Sequence, residues 1–358
     1  MSLLDETVAA IPPLDVAAMD AARERLDQLT KPRGSLGRLE DLVVQLAGVR
    51  GAAMPSIERR AIVVMAADHG VAARGVSAYP SEVTGQMVAN FLSGGAAISA
   101  LGRQLGARLV VVDMGVATAI PPRDDLLSRR LGPGTADLSA GPAMTERQAL
   151  AGIEAGIEIA ASLAADGVEL IVPGEMGIGN STAAAAIVAV LTGRPAAEVT
   201  GRGTGLADPE LARKIALIDA AIAGHRLGAG DPIAVLATVG GFEIAGIVGL
   251  LLGSGAARVA VLLDGFIVGA AALVAVALAP ALGPHLNAGH RSAEPGHRVV
   301  LDALGLRPIL ELDLRLGEGS GAAVALGVVD ATVRLYREMA TFEEAAVSGR
   351  ATETGNAR

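Results

Sequence analysis

The 358-residue chain contains no cysteine, which excludes disulfides, cysteine-ligated zinc, iron-sulfur clusters and thiol nucleophiles. Tryptophan is also absent and aromatic residues amount to 2%, so a pocket for a flat ligand has to be lined by Met, Leu, Val and Gly. Positive charge is in deficit. Lys and Arg number 29 against 38 Asp and Glu, a net charge of -9, which argues against nucleic acid or an anionic membrane surface as partner. Any bound anion must therefore be held by local geometry. What the chain does have is 51% hydrophobic residues and 46 glycines, a profile that excludes disorder. The length suits one large domain, or a domain with a smaller companion. Met1 to Glu6 is acidic and lacks the basic-then-apolar pattern of a signal peptide, so a cytoplasmic protein is expected.

Five apolar runs recur through the middle of the chain, at 61–68, 108–115, 168–175, 233–241 and 258–265, most of them followed by a Gly-rich turn and an Ala-rich stretch of helical length. Apolar runs without alternation suit strands buried on both faces. Their repetition with helices predicts an α/β fold with a doubly wound parallel sheet, whose ligands collect beyond the carboxyl ends of the strands. Asp68, Asp113, Glu175 and Asp264 fall at those ends. Residues 15 to about 50 and 318 to 340 are helical in pattern and amphipathic in part, and are expected to pair as a small helical domain. The boundaries are placed at 1–58 and 301–350 for that domain and 59–300 for the sheet domain, with 351–358 as a frayed polar tail. The uncharged run 265–283 has roughly the length of a membrane span. It is rich in Ala, Gly and Val and lacks basic or aromatic anchors, so a buried helix is expected and no membrane partner.

Two glycine-rich segments carry the chemistry. PGEMGIGNSTAAAAI (173–187) sits at an expected strand end and opens a helix, where exposed N–H groups at Gly177, Ile178, Gly179, Asn180, Ser181 and Thr182 form a phosphate site. It is neither a Walker loop, since Asn180 stands where lysine is needed, nor a dinucleotide fingerprint, since Thr182 replaces the third glycine. GRGTGL (201–206), with Gly203, is a weaker loop, and Lys214 follows it as a cation for phosphate. LRLGEGSGAAVAL (314–326) places Glu318 between two glycines at a helix mouth. Glu318 reads either as a general base or as a charge that complements the helix dipole, which would lower its pKa. The segment 67–98 adds Asp68, His69 and Gln86 as groups able to orient a planar ring. His290 and His297 have no further ligands nearby to complete a metal site, and no metal or cofactor is expected. No G-x-S-x-G elbow supports a hydrolase.

Taken together, KPRGSLGRLEDL (31–42), ADHGV, NFLSGGAAI, VVDMGV, PGEMGIGNST, GRGTGL, TVGGFEIAG, LLDGF, HRSAEPGH and LRLGEGSGAA resemble the nicotinate-nucleotide-dimethylbenzimidazole phosphoribosyltransferase family. The resemblance implies transfer of phosphoribose from nicotinate mononucleotide to dimethylbenzimidazole in cobalamin biosynthesis. It also implies a Rossmann-like large domain, a small helical domain from both chain ends, a homodimer and no cofactor. By the same resemblance Glu318 is the catalytic base and Glu175 its acidic partner. Gln86 contacts the aromatic base, and the loop 177–182 with Lys214 grips phosphate. Ser77, Tyr79, Gly203, Asp264 and Leu316 complete the substrate contacts. The alternatives from other classes are an NAD-dependent oxidoreductase using the same glycine loop and a membrane component built around 265–283.

Overall fold

A computed structural model describes residues 1–348, and the tail expected at 351–358 lies outside the described residues. The chain divides into two compact units. The larger, Met1–Pro13 with Ile57–Gly327, is built on a six-stranded sheet: β1 (Arg60–Ala67), β2 (Arg108–Gly115), β3 (Leu126–Ser128), β4 (Leu170–Met176), β5 (Ala260–Leu263) and β6 (Leu286–Ala288). Every neighbouring pair is parallel and the order is β3-β2-β1-β4-β5-β6, the Rossmann order, whose direction of winding reverses between β1 and β4.

Burial on both faces explains why β1 reads as an unbroken apolar run. Met65 meets Gly246 of the helix Phe242–Ala256, while Ile62, an odd number of residues away, meets Gly102 of the helix Ala97–Leu105. Side chains alternate across a strand, so these helices cover opposite faces. The helices Glu146–Ala165 and Phe242–Ala256 pack closely in backbone-to-backbone contact. A Cβ on Gly156 would overlap the carbonyl of Gly246, and one on Gly249 would overlap that of Ile153.

Two expectations change. The run 233–241 is not a strand but the helix Pro232–Val239, begun by Asp231, whose side chain accepts the N–H of Ala234 at 3.0 Å, with Pro232 in the first turn. That start signal outweighs an apolar run too short to show its period. The uncharged stretch 265–283 forms the 13-residue helix Phe266–Leu278, with Phe266 and Val268–Ala275 buried, followed by a 3-10 turn from Pro280. Thirteen residues fall short of the ~20 that a bilayer requires. Among the described residues one helix, Glu146–Ala165, has the length and apolarity of a span, and half of it is buried inside the protein. The three-residue strands β3 and β6 carry too few residues for a pattern to register in the sequence.

The smaller unit comprises Leu14–Ser56 and the chain from Val328, so the two ends do form a helical unit together. Its core is Ala18, Ala22, Leu26, Leu29, Val43, Val44, Ala47 and Tyr336. The Tyr336 hydroxyl donates to the carbonyl of Ala53 at 2.6 Å, and the Arg25 guanidinium lies 5.6 Å from the Tyr336 ring centroid. Residues 1–13 and 301–327 lie in the larger unit rather than here. Leu4 and Ile11 join the core of the sheet domain, and residues 309–314 run alongside 288–293 through Ile309 N–H to Ala288, Arg291 N–H to Leu310 and Ala293 N–H to Leu314 bonds of 2.8–3.0 Å.

The closest helix contact supplies a test. Gly249→Ala inserts a Cβ where the Ile153 backbone stands and should destabilise the protein by about 3 kcal/mol. Urea unfolding of the variant measures it, and a loss below about 0.5 kcal/mol would show that the two helices separate freely.

Candidate active site

A cavity of about 590 Å³ opens beyond the carboxyl ends of β1, β4 and β5, and all of it belongs to the larger unit. Of the residues singled out from sequence, Ser77, Tyr79, Glu175, Gly177, Ile178, Gly179, Asn180, Ser181, Gly203, Asp264, Leu316 and Glu318 line it. Gln86, Thr182 and Lys214 do not line it. Gln86 is exposed on the helix Glu82–Ser93, whose Val83 and Met87 face the cavity instead. Thr182 is wholly buried. Lys214 is also wholly buried and reaches the site through Ser181, donating to its Oγ at 2.9 Å and to the carbonyl of Gly201 at 3.3 Å.

Glu175, the penultimate residue of β4, is buried and accepts a hydrogen bond from Asn180 Nδ2. Its loop partner is Gly317-Glu318-Gly319, three consecutive residues at positive φ of 86°, 65° and 86°. For a glutamate this left-handed backbone is strained by about 1 kcal/mol or more. A Cβ at Gly317 would stand 2.5 Å from Glu175 Oε1, and one at Gly174 would overlap the Glu318 carbonyl. Glycine is therefore required on both sides of the contact. The Glu318 carboxylate accepts the N–H of Ile98 at 3.4 Å, at the first turn of the helix Ala97–Leu105. Asp264, at the end of β5, accepts the N–H of Ala322 at 2.9 Å and lies 3.3 Å from His290 Nε2.

Three carboxylates thus share a largely dry pocket. Burial is the main cause that pushes Glu175 up to about 8, and Asp264, Glu243 and Glu318 add to the shift against the Asn180 hydrogen bond. Glu318 is also raised, again chiefly by burial, with Ile98 opposing and Asp264 assisting. This corrects the expectation of a dipole-lowered pKa, because loss of water outweighs one long N–H contact.

At the other end of the cavity the N–H groups of Ile178, Asn180 and Thr182 are already engaged, to Thr84 Oγ1 at 3.1 Å, the Gly177 carbonyl at 3.1 Å and the Gly179 carbonyl at 3.0 Å. No such bond is formed by the N–H groups of Gly177, Gly179 and Ser181 among the described residues. Lys214 is pushed down to about 8 by burial, with Glu294 opposing. Tyr79 and Leu316, both among the cavity-lining residues, are 56% and 58% exposed. Ser77 Oγ bonds Thr204 Oγ1 at 3.1 Å and accepts the Tyr79 N–H at 3.2 Å, which holds that part of the lining in place.

Sequence reasoning missed Arg315 and His290 as cavity residues. Arg315 stands three positions before Glu318 in a motif already singled out, and that adjacency was the available signal. His290 was weighed only as half of a metal pair with His297. The two ring centroids are 6.0 Å apart, and His297 spends Nδ1 on the N–H of Ser292 at 2.8 Å.

A Rossmann-order parallel sheet, a glycine loop opening a helix at the switch point and buried carboxylates beside it define a nucleotide-handling α/β enzyme with acid-base chemistry. The family model described as "Phosphoribosyltransferase" matches residues 11–347. Nicotinate-nucleotide-dimethylbenzimidazole phosphoribosyltransferase of Roseiflexus sp. (strain RS-1) is 56% identical over 98% of this chain and 99% of its own. The same-named protein of Desulforudis audaxviator (strain MP104C) is 51% identical over 97% and 99%. The crystal structure of the Thermus thermophilus enzyme of that name superposes with a TM-score of 0.89 at 48% identity, covering 94% of this chain and all of that one. The chain belongs to the nicotinate-nucleotide-dimethylbenzimidazole phosphoribosyltransferase family.

The raised pKa of Glu175 has a stability consequence. Between its ordinary value of 4.5 and about 8, the folded chain keeps a proton that the unfolded chain has released, so stability falls as pH rises through that window. Glu175→Gln removes this dependence. Its melting temperature should match wild type near pH 5 and exceed it increasingly toward pH 8, as thermal unfolding followed by circular dichroism across that range would show.

Proposed function

We propose that the protein transfers the phosphoribosyl group of nicotinate mononucleotide to dimethylbenzimidazole, giving α-ribazole 5'-phosphate and nicotinate for cobalamin biosynthesis, as a cytoplasmic homodimer. One ring nitrogen of the benzimidazole attacks C1 of the ribose from the face opposite nicotinate, so the β-glycosidic bond becomes α. The nicotinate nitrogen takes the bonding electron pair and loses its positive charge as it leaves. The benzimidazole's other N–H becomes acidic as the first nitrogen bonds, and its proton passes to Glu318. The substrate carries its own activation in the pyridinium, so orientation is the main task of the protein.

The observation that carries this reading is Glu318, a carboxylate buried in strained backbone at the wall of the cavity. Burial raises its pKa, which makes the ionised form a better proton acceptor than an exposed glutamate. Glu175, pushed up to about 8, holds its proton near neutrality and serves as a hydrogen-bond donor rather than the base. Phosphate is gripped by the N–H groups of Gly179 and Ser181, with Lys214 acting through Ser181. Gln86 is exposed and outside the cavity lining, so the base is bordered on its helix by Val83 and Met87 instead. The loop 177–182 lacks the third glycine of a dinucleotide fingerprint, and nothing in the cavity favours hydride transfer.

Glu318→Gln should lower turnover by about a hundred- to ten-thousand-fold while both substrates still bind, since the amide keeps the shape and cannot take the proton. Steady-state kinetics with calorimetric binding decides the matter. Near-normal turnover in Glu318→Gln together with a collapse in Glu175→Gln would reassign the base. Gly179 holds φ at 98° against His69. Gly179→Val should raise the Michaelis constant for nicotinate mononucleotide well above any change for the base, and equal effects on both would remove phosphate from the loop.

A further inference from the structure

Beneath the glycine loop lies a buried pair that takes no part in the steps above. His69 Nε2 and Glu243 Oε1 are 2.7 Å apart, with side chains 1% and 0% exposed. His69 lies two residues past the end of β1, and Glu243 is in the first turn of the buried helix Phe242–Ala256. The remaining polar atoms of the pair, His69 Nδ1 and Glu243 Oε2, have no partner among the described residues.

The imidazole is enclosed by glycines. A Cβ at Gly177 would stand 3.3 Å from both Cδ2 and Nε2 of the ring, and one at Gly179 would stand 3.3 Å from the His69 Cβ. On another side, a Cβ at Gly241 would overlap the ring's Cε1 and meet Glu243 Oε2 at 2.6 Å. His69 is therefore the floor under the Gly177–Gly179 loop, and Glu243 sets the rotation of that floor. A role confined to tying β1 to the helix explains the bond poorly. A buried ion pair is often no more stable than two apolar side chains of the same volume, and β1 and this helix otherwise contribute many side chains to one hydrophobic core. Polar groups kept at such a site instead fix a geometry.

We propose that His69 and Glu243 form a positioning pair for the phosphate-bearing substrate, in which Glu243 orients the imidazole and the imidazole sets the height at which the Gly179 and Ser181 N–H groups converge on one anion. The pair touches no reacting atom. The proposal rests on the loop's assignment to the phosphate of nicotinate mononucleotide. Asp68 is the other charged group beside the ring, its Oδ2 accepting the N–H of Ala117 at 2.7 Å, and Glu243 in turn adds to the upward push on Glu175.

Three variants test it, each assayed for both substrates on the full chain. Glu243→Gln keeps an oxygen for His69 to bond and should leave both Michaelis constants within about threefold of wild type. Glu243→Leu removes that acceptor and should raise the constant for nicotinate mononucleotide by about tenfold or more, with turnover and the constant for dimethylbenzimidazole changing far less. Equal shifts for both substrates, or Gln and Leu variants that behave alike, overturn the proposal. If Glu243→Leu does not fold, His69→Leu/Glu243→Leu carries the test, since it leaves neither group unpaired. A folded double variant with the raised constant supports the proposal, and one with wild-type constants overturns it. A crystal of the wild type with nicotinate mononucleotide separates the two layers of argument. Phosphate located away from residues 177–182 removes the loop's assignment itself, whereas phosphate on the loop with unaltered constants in the variants removes only the role of the pair.

Discussion

The backbone of Gly317-Glu318-Gly319 lies against Gly174 at the end of β4, and only hydrogen fits between them. The rest of the site depends on this contact. It brings a glutamate held in left-handed conformation next to Glu175, the penultimate residue of that strand, and it shuts both away from water. Larger residues at 174 or 317 would push the loop outward, admit solvent and return both carboxylates toward ordinary acidity. Backbone strain at Glu318 is offset by the hydrogen bonds and packing of segment 309–314 beside 288–293 and by the long helix that begins at Ser320.

The enclosure divides labour between groups of the same chemical type. Glu175, buried and influenced by Asp264, Glu243 and Glu318, is pushed up to about 8. Glu318 is shifted in the same direction, chiefly by burial, with the Ile98 N–H as a counterweight. Two carboxylates whose surroundings separate their affinities for protons can act as donor and acceptor in one pocket. The proposed anion end differs. Its donors would be backbone N–H groups of a glycine turn, with the buried Lys214 bonded to the Ser181 hydroxyl behind them, an arrangement suited to a chain with a net charge of -9.

Glycine and alanine also set the scaffold. With few aromatic side chains to fill space, the core closes by bringing backbones together, as Gly156 and Gly249 do between the two central helices. Such contacts tolerate little adjustment, because backbone cannot rotate away as a side chain can. Rigidity at this level serves a reaction whose main requirement is that two flat rings and one ribose be held in line.

Much of this was legible in the sequence because burial on both faces leaves a continuous apolar run and because glycine flanking a carboxylate is a local pattern. The strands β1, β2, β4 and β5, the helical unit from the two ends, the glycine loop and both glutamates were all readable on those grounds. The run 233–241 was misread as a strand because a short apolar segment carries no period, although Asp231-Pro232 marked a helix start. Composition and local motif determined which residues are candidates for the chemistry. Only the tertiary structure decided their state: that Glu318 is raised rather than lowered by its surroundings, that Gln86 stands outside while Met87 faces in, that Lys214 is buried against Ser181, and that His69 meets Glu243 across 174 residues of chain. Proton affinity and hydrogen bonding depend on what is packed within a few ångströms, and that neighbourhood is assembled from strands distant in sequence.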